Sequence, residues 1–240
     1  MTSGNARKKV VFVVVEGPTD DEALGIMLEK IFDRFEVHVE IMHCDITTEN
    51  VAGENRVVNR MQKILRGYVQ RNHYTLKDID RVVHIIDTDG SFVPDSCIEE
   101  ETDLKKVRYS DSRIWARSRE AIIVRNARKS ANVRVLAGLE TILGNVPYSI
   151  YYMSSNLDHV LYDKQNSTND EKGKNAYRFA QKYRNSISEF LNFMTLSDFS
   201  VMLPYDESWE YIYEGTNSLC RHTNLGICFS EYYEKLIEEG

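Results

Sequence analysis

Proline is scarce in this chain, 4 in 240 residues, and glycine numbers only 12. So few breakers exclude long flexible linkers and low-complexity tracts. No internal repeat is visible either. The four cysteines (Cys44, Cys97, Cys220 and Cys228) are scattered and form no C-x-x-C pair. That argues against a disulfide framework and for free thiols in a reducing compartment. Cys220, His222 and Cys228 lack the spacing of a standard zinc finger. The longest purely apolar run, Val10 to Val15, is six residues, against about 20 needed to cross a bilayer. The basic residues of the N-terminal stretch precede no apolar core of signal-peptide length. The expectation is a frayed tail on a cytoplasmic protein with no membrane partner. A P-loop, G-x-x-x-x-G-K-[ST], is absent, so any ATP dependence would need a separate ATPase subunit.

What is present describes a folded domain. Hydrophobic residues make up 42% and charged residues 28%, which excludes disordered and fibrous classes. The net charge is −7, yet it is unevenly spread. Between Leu104 and Arg134 stand ten basic residues and only two acids, a net +8 in 31 residues, so the rest carries −15. A dense basic stretch on an acidic protein can still bind a polyanion locally.

The hydrophobic pattern predicts strand Lys9–Val15, helix Asp21–Phe32 and strand Val37–Met42. Helix Glu54–Arg71, strand Arg81–Ile86, a basic, partly helical segment to Leu143, and strand Tyr148–Met153 follow. This alternation is the order of an α/β fold with a parallel sheet flanked by helices. Such sheets bind ligands at the carboxyl ends of their strands. Beyond residue 154 the chain is aromatic-rich and reads as helical, with one long helix over Asn169–Leu196 and shorter ones at Trp209–Tyr213 and Tyr232–Ile237. The expected organisation is a core at 1–154 carrying a basic segment at 104–134, then a helical C-terminal region at 155–240. That region is either a second domain or a layer on the sheet.

Two acidic motifs fall at strand ends. The first is Glu16-Gly17-Pro18-Thr19-Asp20; the second, about 70 residues later, is Asp87-Thr88-Asp89-Gly90. Carboxylates gathered at one sheet edge repel and raise one another's pKa, so a cation belongs among them. An all-oxygen set suits Mg²⁺ or Mn²⁺, ions that hold phosphates. Gly17 and Gly90 are expected to let the backbone bend close to the site.

A Glu after the first strand and an Asp-x-Asp after the third is the pattern of the TOPRIM family. This family includes topoisomerases, bacterial primases, small rRNA maturases and overcoming-lysogenization-defect nucleases. The chain resembles it over about residues 9–154, and the Glu-Gly-Pro-Thr-Asp run is most similar to the nuclease branch of bacterial anti-phage systems. The resemblance implies a TOPRIM-like fold and metal-dependent phosphodiester hydrolysis of DNA or RNA by an abortive-infection effector. It assigns Mg²⁺ (or Mn²⁺) to Asp87 and Asp89, and proton transfer or a second metal to Glu16. It also implies a separate ATPase or sensor partner.

Asp20 reads equally as a helix cap and as a metal ligand. Lys105, Lys106, Arg108, Arg113, Arg117, Arg119, Arg125 and Arg128 are the expected nucleic-acid contacts, with Tyr109 and Trp115 available for base stacking. Asp158, His159 and Lys164 follow the fourth strand and stay open as additions to the site; His84 reads as a core histidine. The alternative to a nuclease is a non-catalytic module that binds nucleic acid or a partner ATPase, with Tyr211, Tyr213, Tyr232 and Tyr233 as a docking surface. Oligomerisation is compatible with either.

Overall fold

The computed structural model describes residues 9–33, 37–49 and 56–230. The expected helix at 232–237, with Tyr232 and Tyr233, and the expected helix start at 54–55 lie outside them. In chain order the first half contains β1 (Lys9–Val15), α1 (Pro18–Asp33), β2 (Val37–His43), α2 (Arg56–Arg71) and β3 (Ile79–Asp87). Then come β4 (Ile98–Glu100), β5 (Arg108–Tyr109), β6 (Ile114–Ala116), α3 (Arg119–Ala137), β7 (Thr141–Ile142) and β8 (Val146–Met153). Four helices follow: α4 (Leu157–Tyr162), α5 (Asn169–Tyr183), α6 (Ile187–Leu196) and α7 (Tyr205–Tyr213).

β1 is covered on both faces because its β-branched and aromatic residues alternate between two cores. Val11, Val13 and Val15 enter one, and Val10, Phe12 and Val14 the other. The main sheet runs β2-β1-β3-β8-β7. The first three pairings are parallel. β7 adds an antiparallel edge, so the sheet is mixed and mostly parallel. The antiparallel edge was not anticipated, since two residues are too few to show a period.

One core joins the sheet to α1, α4, α5 and α6 through Leu24, Met27, Leu28, Val160, Phe179, Phe190 and Leu191. The other joins it to α2, α3 and α7 through Met61, Leu65, Val133, Leu136, Trp209 and Ile212. The described C-terminal helices therefore share their cores with the strands. The expected single helix Asn169–Leu196 is two. Ser186 leaves helical geometry (φ −141°) and caps α6 by accepting the Glu189 N–H, a strong stop and restart signal. The basic segment also departs from expectation: before α3 its β5 and β6 join β4, from just upstream, in a second sheet, order β4-β6-β5, over a small core that includes Ile98, Ile114, Ala116, Ile122 and Leu219. Among the described residues no helix is long and apolar enough to cross a membrane.

Candidate active site

β1 pairs with β2 on one flank and β3 on the other. The chain thus leaves β1 and β3 towards opposite sides of the sheet order, and their carboxyl ends form the topological switch point at which such sheets bind ligands. Glu16 directly follows β1, and Asp87 is the last residue of β3. Glu16 Oε1 accepts the Asp87 backbone N–H at 3.2 Å, tying the two strand ends together. Asp87 Oδ1 accepts the Leu157 N–H at 2.8 Å, which brings in the chain after β8. Asp20 Oδ2 accepts the Gly17 N–H at 2.9 Å. Asp20 thus closes the start of α1 and still belongs to the carboxylate group.

The electrostatics match this crowding. Burial pushes the Glu16 carboxyl up to about 8; Lys129 opposes the shift, while Asp89, Asp45 and Asp20 add to it. Burial, reinforced by Glu16, Asp20 and Asp89, also raises Asp87 well above the usual carboxylate range. Asp20 is raised by burial as well, with Gly17 N–H and Lys172 opposing and Asp158 adding.

Lys129 is the site residue that sequence reasoning left among the general basic residues. It has 0% side-chain exposure, and its Nζ lies 3.2 Å from Glu16 Oε1 and 2.5 Å from Asp89 Oδ2. Burial disfavours its ammonium, yet Asp89, Glu16 and Asp45 outweigh that and hold its pKa above the ordinary range. A signal was available. On α3 the buried positions are Ile122, Asn126, Lys129, Asn132, Val133 and Leu136, and a lysine on the core side of a helix is rarely unpaired. The same face grips the second acidic loop. Arg125 donates to the Asp89 carbonyl at 2.8 Å and Asn126 to the Gly90 carbonyl at 3.3 Å.

That loop turns through positive φ at Asp89 (51°) and Gly90 (64°). It is pinned by Thr88 N–H to the Met153 carbonyl and Asp89 N–H to the Ser155 carbonyl. A Cβ on Gly90 would meet Leu219 Cδ2 at 2.5 Å and Ile114 Cδ1 at 3.0 Å. Gly90→Ala combines strain with overpacking and is expected to cost about 1–3 kcal/mol. A thermal melt reads this as a drop of several degrees; an unchanged melt would show that the loop yields freely. Gly17 differs from expectation, with nothing within 4 Å of its Cβ position and no positive φ. Its neighbours leave open space there, so close approach does not require glycine.

The eight basic residues divide. Lys105, Lys106 and Arg117 line a surface groove with Thr102, Asp103, Leu104 and Val107. Arg108 pairs with Glu101 at 2.9 Å and lies over the Trp115 ring, and Arg113 pairs with Glu99. Arg119 donates to the carbonyls of Ile98 and Asp95. Arg125 also donates to the Tyr109 hydroxyl at 2.9 Å, and Arg128 reaches the Thr48 carbonyl at 3.4 Å. Trp115 Nε1 donates to Glu99, so both aromatic candidates for stacking already have partners.

Of the open candidates after β8, Asp158 is the one that acts on the cluster, through Asp20. Asp158 is 4% exposed; its Oδ2 is 3.6 Å from Lys172 Nζ and its Oδ1 is buried without a hydrogen-bond partner. His159 is buried, with Nε2 3.7 Å from Asp111 Oδ1, and burial lowers its pKa. Lys164 is exposed. Asn156 caps α4 by accepting the His159 N–H. His84 is a core histidine whose Nδ1 meets the Tyr148 hydroxyl at 2.8 Å. Asp45 closes the turn after β2, accepting from Thr47 and Thr48. It also belongs to the electrostatic surroundings of Lys129: burial would raise its carboxyl, but Lys129 and these hydrogen bonds hold it low. Tyr211 bonds His222, and Tyr213 lies under the Arg134 guanidinium.

Among the described residues no three or more His, Cys, Asp or Glu side chains are grouped so as to hold a metal ion by themselves. The donor chemistry nevertheless fits a hard divalent cation. Glu16, Asp20, Asp87 and Asp89 are all oxygen donors, Lys129 pairs with only two of them, and the raised Glu16 and Asp87 register the surplus negative charge. No family model matches this chain, nor does any curated protein or solved structure, so the reading of the site rests on its own residues and geometry.

Proposed function

We propose that the chain is a TOPRIM-type nuclease, hydrolysing phosphodiester bonds in DNA or RNA with Mg²⁺ or Mn²⁺, and that it acts as an effector toxin in bacterial anti-phage defence. One observation carries this reading: Glu16, Asp20, Asp87 and Asp89 converge at the carboxyl ends of β1 and β3, and Glu16 and Asp87 there are pushed up by burial and mutual repulsion. The ion would be held from within the set Asp87, Asp89 and Asp20. When bound, it would neutralise the scissile phosphate and lower the pKa of an attacking water. Glu16, with a pKa of about 8, is matched to accepting a proton near neutral pH. Lys129 holds Glu16 and Asp89 in register. Lys105, Lys106 and Arg117 offer cations to a polyanion, which makes binding salt-dependent. The Glu16-to-Asp20 run supports the defence role through its likeness to anti-phage nucleases.

The test presents the full chain with supercoiled plasmid, single-stranded DNA and total tRNA, each with Mg²⁺, Mn²⁺ or EDTA. The expected result is cleavage of one substrate class, lost in EDTA and in Asp87→Ala, with the circular dichroism of the variant unchanged. Equal cleavage by Asp87→Ala would remove the site assignment. A second reading has one observation in its favour: Lys129 already neutralises part of the cluster, as a non-catalytic module would allow. Salt-sensitive binding of nucleic acid, or capture of an ATPase partner, without turnover under any metal would select it.

A further inference from the structure

The carboxylate cluster is divided by its own lysine. On one side, the Lys129 ammonium lies between Glu16 Oε1 and Asp89 Oδ2 with no exposed surface. Arg125 and Asn126 hold the backbone of the same Asp89–Gly90 turn from the same helix face. Three contacts from α3 thus fix the Asp89–Gly90 turn to this helix. A second cation between Glu16 and Asp89 would stand within a few ångströms of the ammonium, and like charges at that range in a buried site repel strongly. On the other side, Asp87 and Asp20 form no ion pair among the described residues. Their bonded oxygens take only backbone N–H groups, from Leu157 and Gly17. Beyond Asp20, Asp158 is buried with Oδ1 unpartnered, while its Oδ2 lies 3.6 Å from the half-exposed Lys172 Nζ.

We propose that the site takes one divalent cation rather than two, held by Asp87 with Asp20, and that Lys129 is the built-in second positive charge, with Asp89 its positioning partner instead of a metal ligand. This rests on the reading of the cluster as a metal-dependent phosphodiesterase site, and it assigns the two aspartates of the Asp87-x-Asp89 pair different work. Asp87 meets the ion, while Asp89 places the ammonium. The fixed charge would be present before any ligand arrives and would not depend on metal concentration.

Direct Mn²⁺ binding tests this without reference to activity. Free Mn²⁺ is followed by electron paramagnetic resonance as it is titrated into the full-length wild type, Asp87→Asn and Asp89→Asn, each checked for folding by circular dichroism. The wild type is expected to bind one Mn²⁺ per chain. Asp87→Asn is expected to weaken binding by roughly tenfold or more, the scale of losing a ligand or its support. Asp89→Asn, which keeps a carbonyl oxygen for Lys129, is expected to stay within about threefold, well below that scale. Two Mn²⁺ per chain, or an Asp89→Asn loss equal to that of Asp87→Asn, would overturn the proposal while leaving a metal site in place. A wild type that binds no Mn²⁺ would overturn the proposal together with the metal-dependent reading, so the two failures are distinct.

Discussion

Lys129→Met is expected to lower the melting temperature by roughly 10 °C at pH 8. Removing one partner of a buried ion pair leaves the others uncompensated and costs about 3–5 kcal/mol, and each kcal/mol moves a chain of this size by about 2–4 °C. The partners left behind are Glu16 and Asp89, 3.2 and 2.5 Å from the missing ammonium. Methionine fills nearly the same volume, so the loss reports charge and not a cavity. The penalty should shrink towards pH 5. Without the ammonium the carboxyls escape repulsion by taking up protons, which is easier in acid. Melting curves at both pH values measure this. A loss below about 2 °C at pH 8, less than 1 kcal/mol on the same scale, would show that the ammonium contributes little and that the cluster relaxes around its absence.

Glu16→Gln should move stability and activity in opposite directions. The folded carboxyl has a pKa of about 8 against an ordinary value of 4.5. Between those values the folded state keeps a proton that the unfolded chain has released. Stability contributed by this group is therefore present at acid pH and is lost as pH rises from 4.5 through 8, by up to about 1.4 kcal/mol per pH unit. Glutamine cannot ionise, so the variant should lose this slope and be the more stable protein at pH 8 in EDTA. On the proposed nuclease reading the same change removes the proton acceptor, and cleavage should fall by about a hundredfold or more. Denaturant titrations across pH 5 to 8, beside a cleavage assay, check both. A variant that is less stable than wild type at pH 8 would mean that Glu16 is held as a satisfied ion-pair partner of Lys129. It would not then be a strained group kept for chemistry.

Several features were legible from residues alone because their signals are local. The unbroken run from Val10 to Val15 could only be a strand covered on both faces, and β1 is that strand. The acidic motifs adjoin strand ends, so a parallel sheet necessarily brought Glu16 and Asp87 to one edge. Other features depended on partners remote in sequence. The helix expected over Asn169–Leu196 kept its apolar spacing across a break, because α5 and α6 face the same core; only Ser186 as a cap marks the division. The strands of the small sheet are two or three residues long, too short for a period to appear.

The sequence by itself determined the α/β class, the first strand covered on both faces and the carboxylates at the strand ends, since period and adjacency along the chain specify all three. Tertiary structure alone decided how those carboxylates are shared. It brought Lys129 from 113 residues away to Glu16 and from 40 residues away to Asp89. It also engaged part of the basic segment with the protein itself: Arg119, Arg125 and Arg128 bond the protein's own carbonyls, and Lys105, Lys106 and Arg117 are left at the surface groove. Net charge along a sequence counts cations without their partners. Which cation is buried against which carboxylate is set by the packing of α3 on the sheet, and that is a long-range property of the fold.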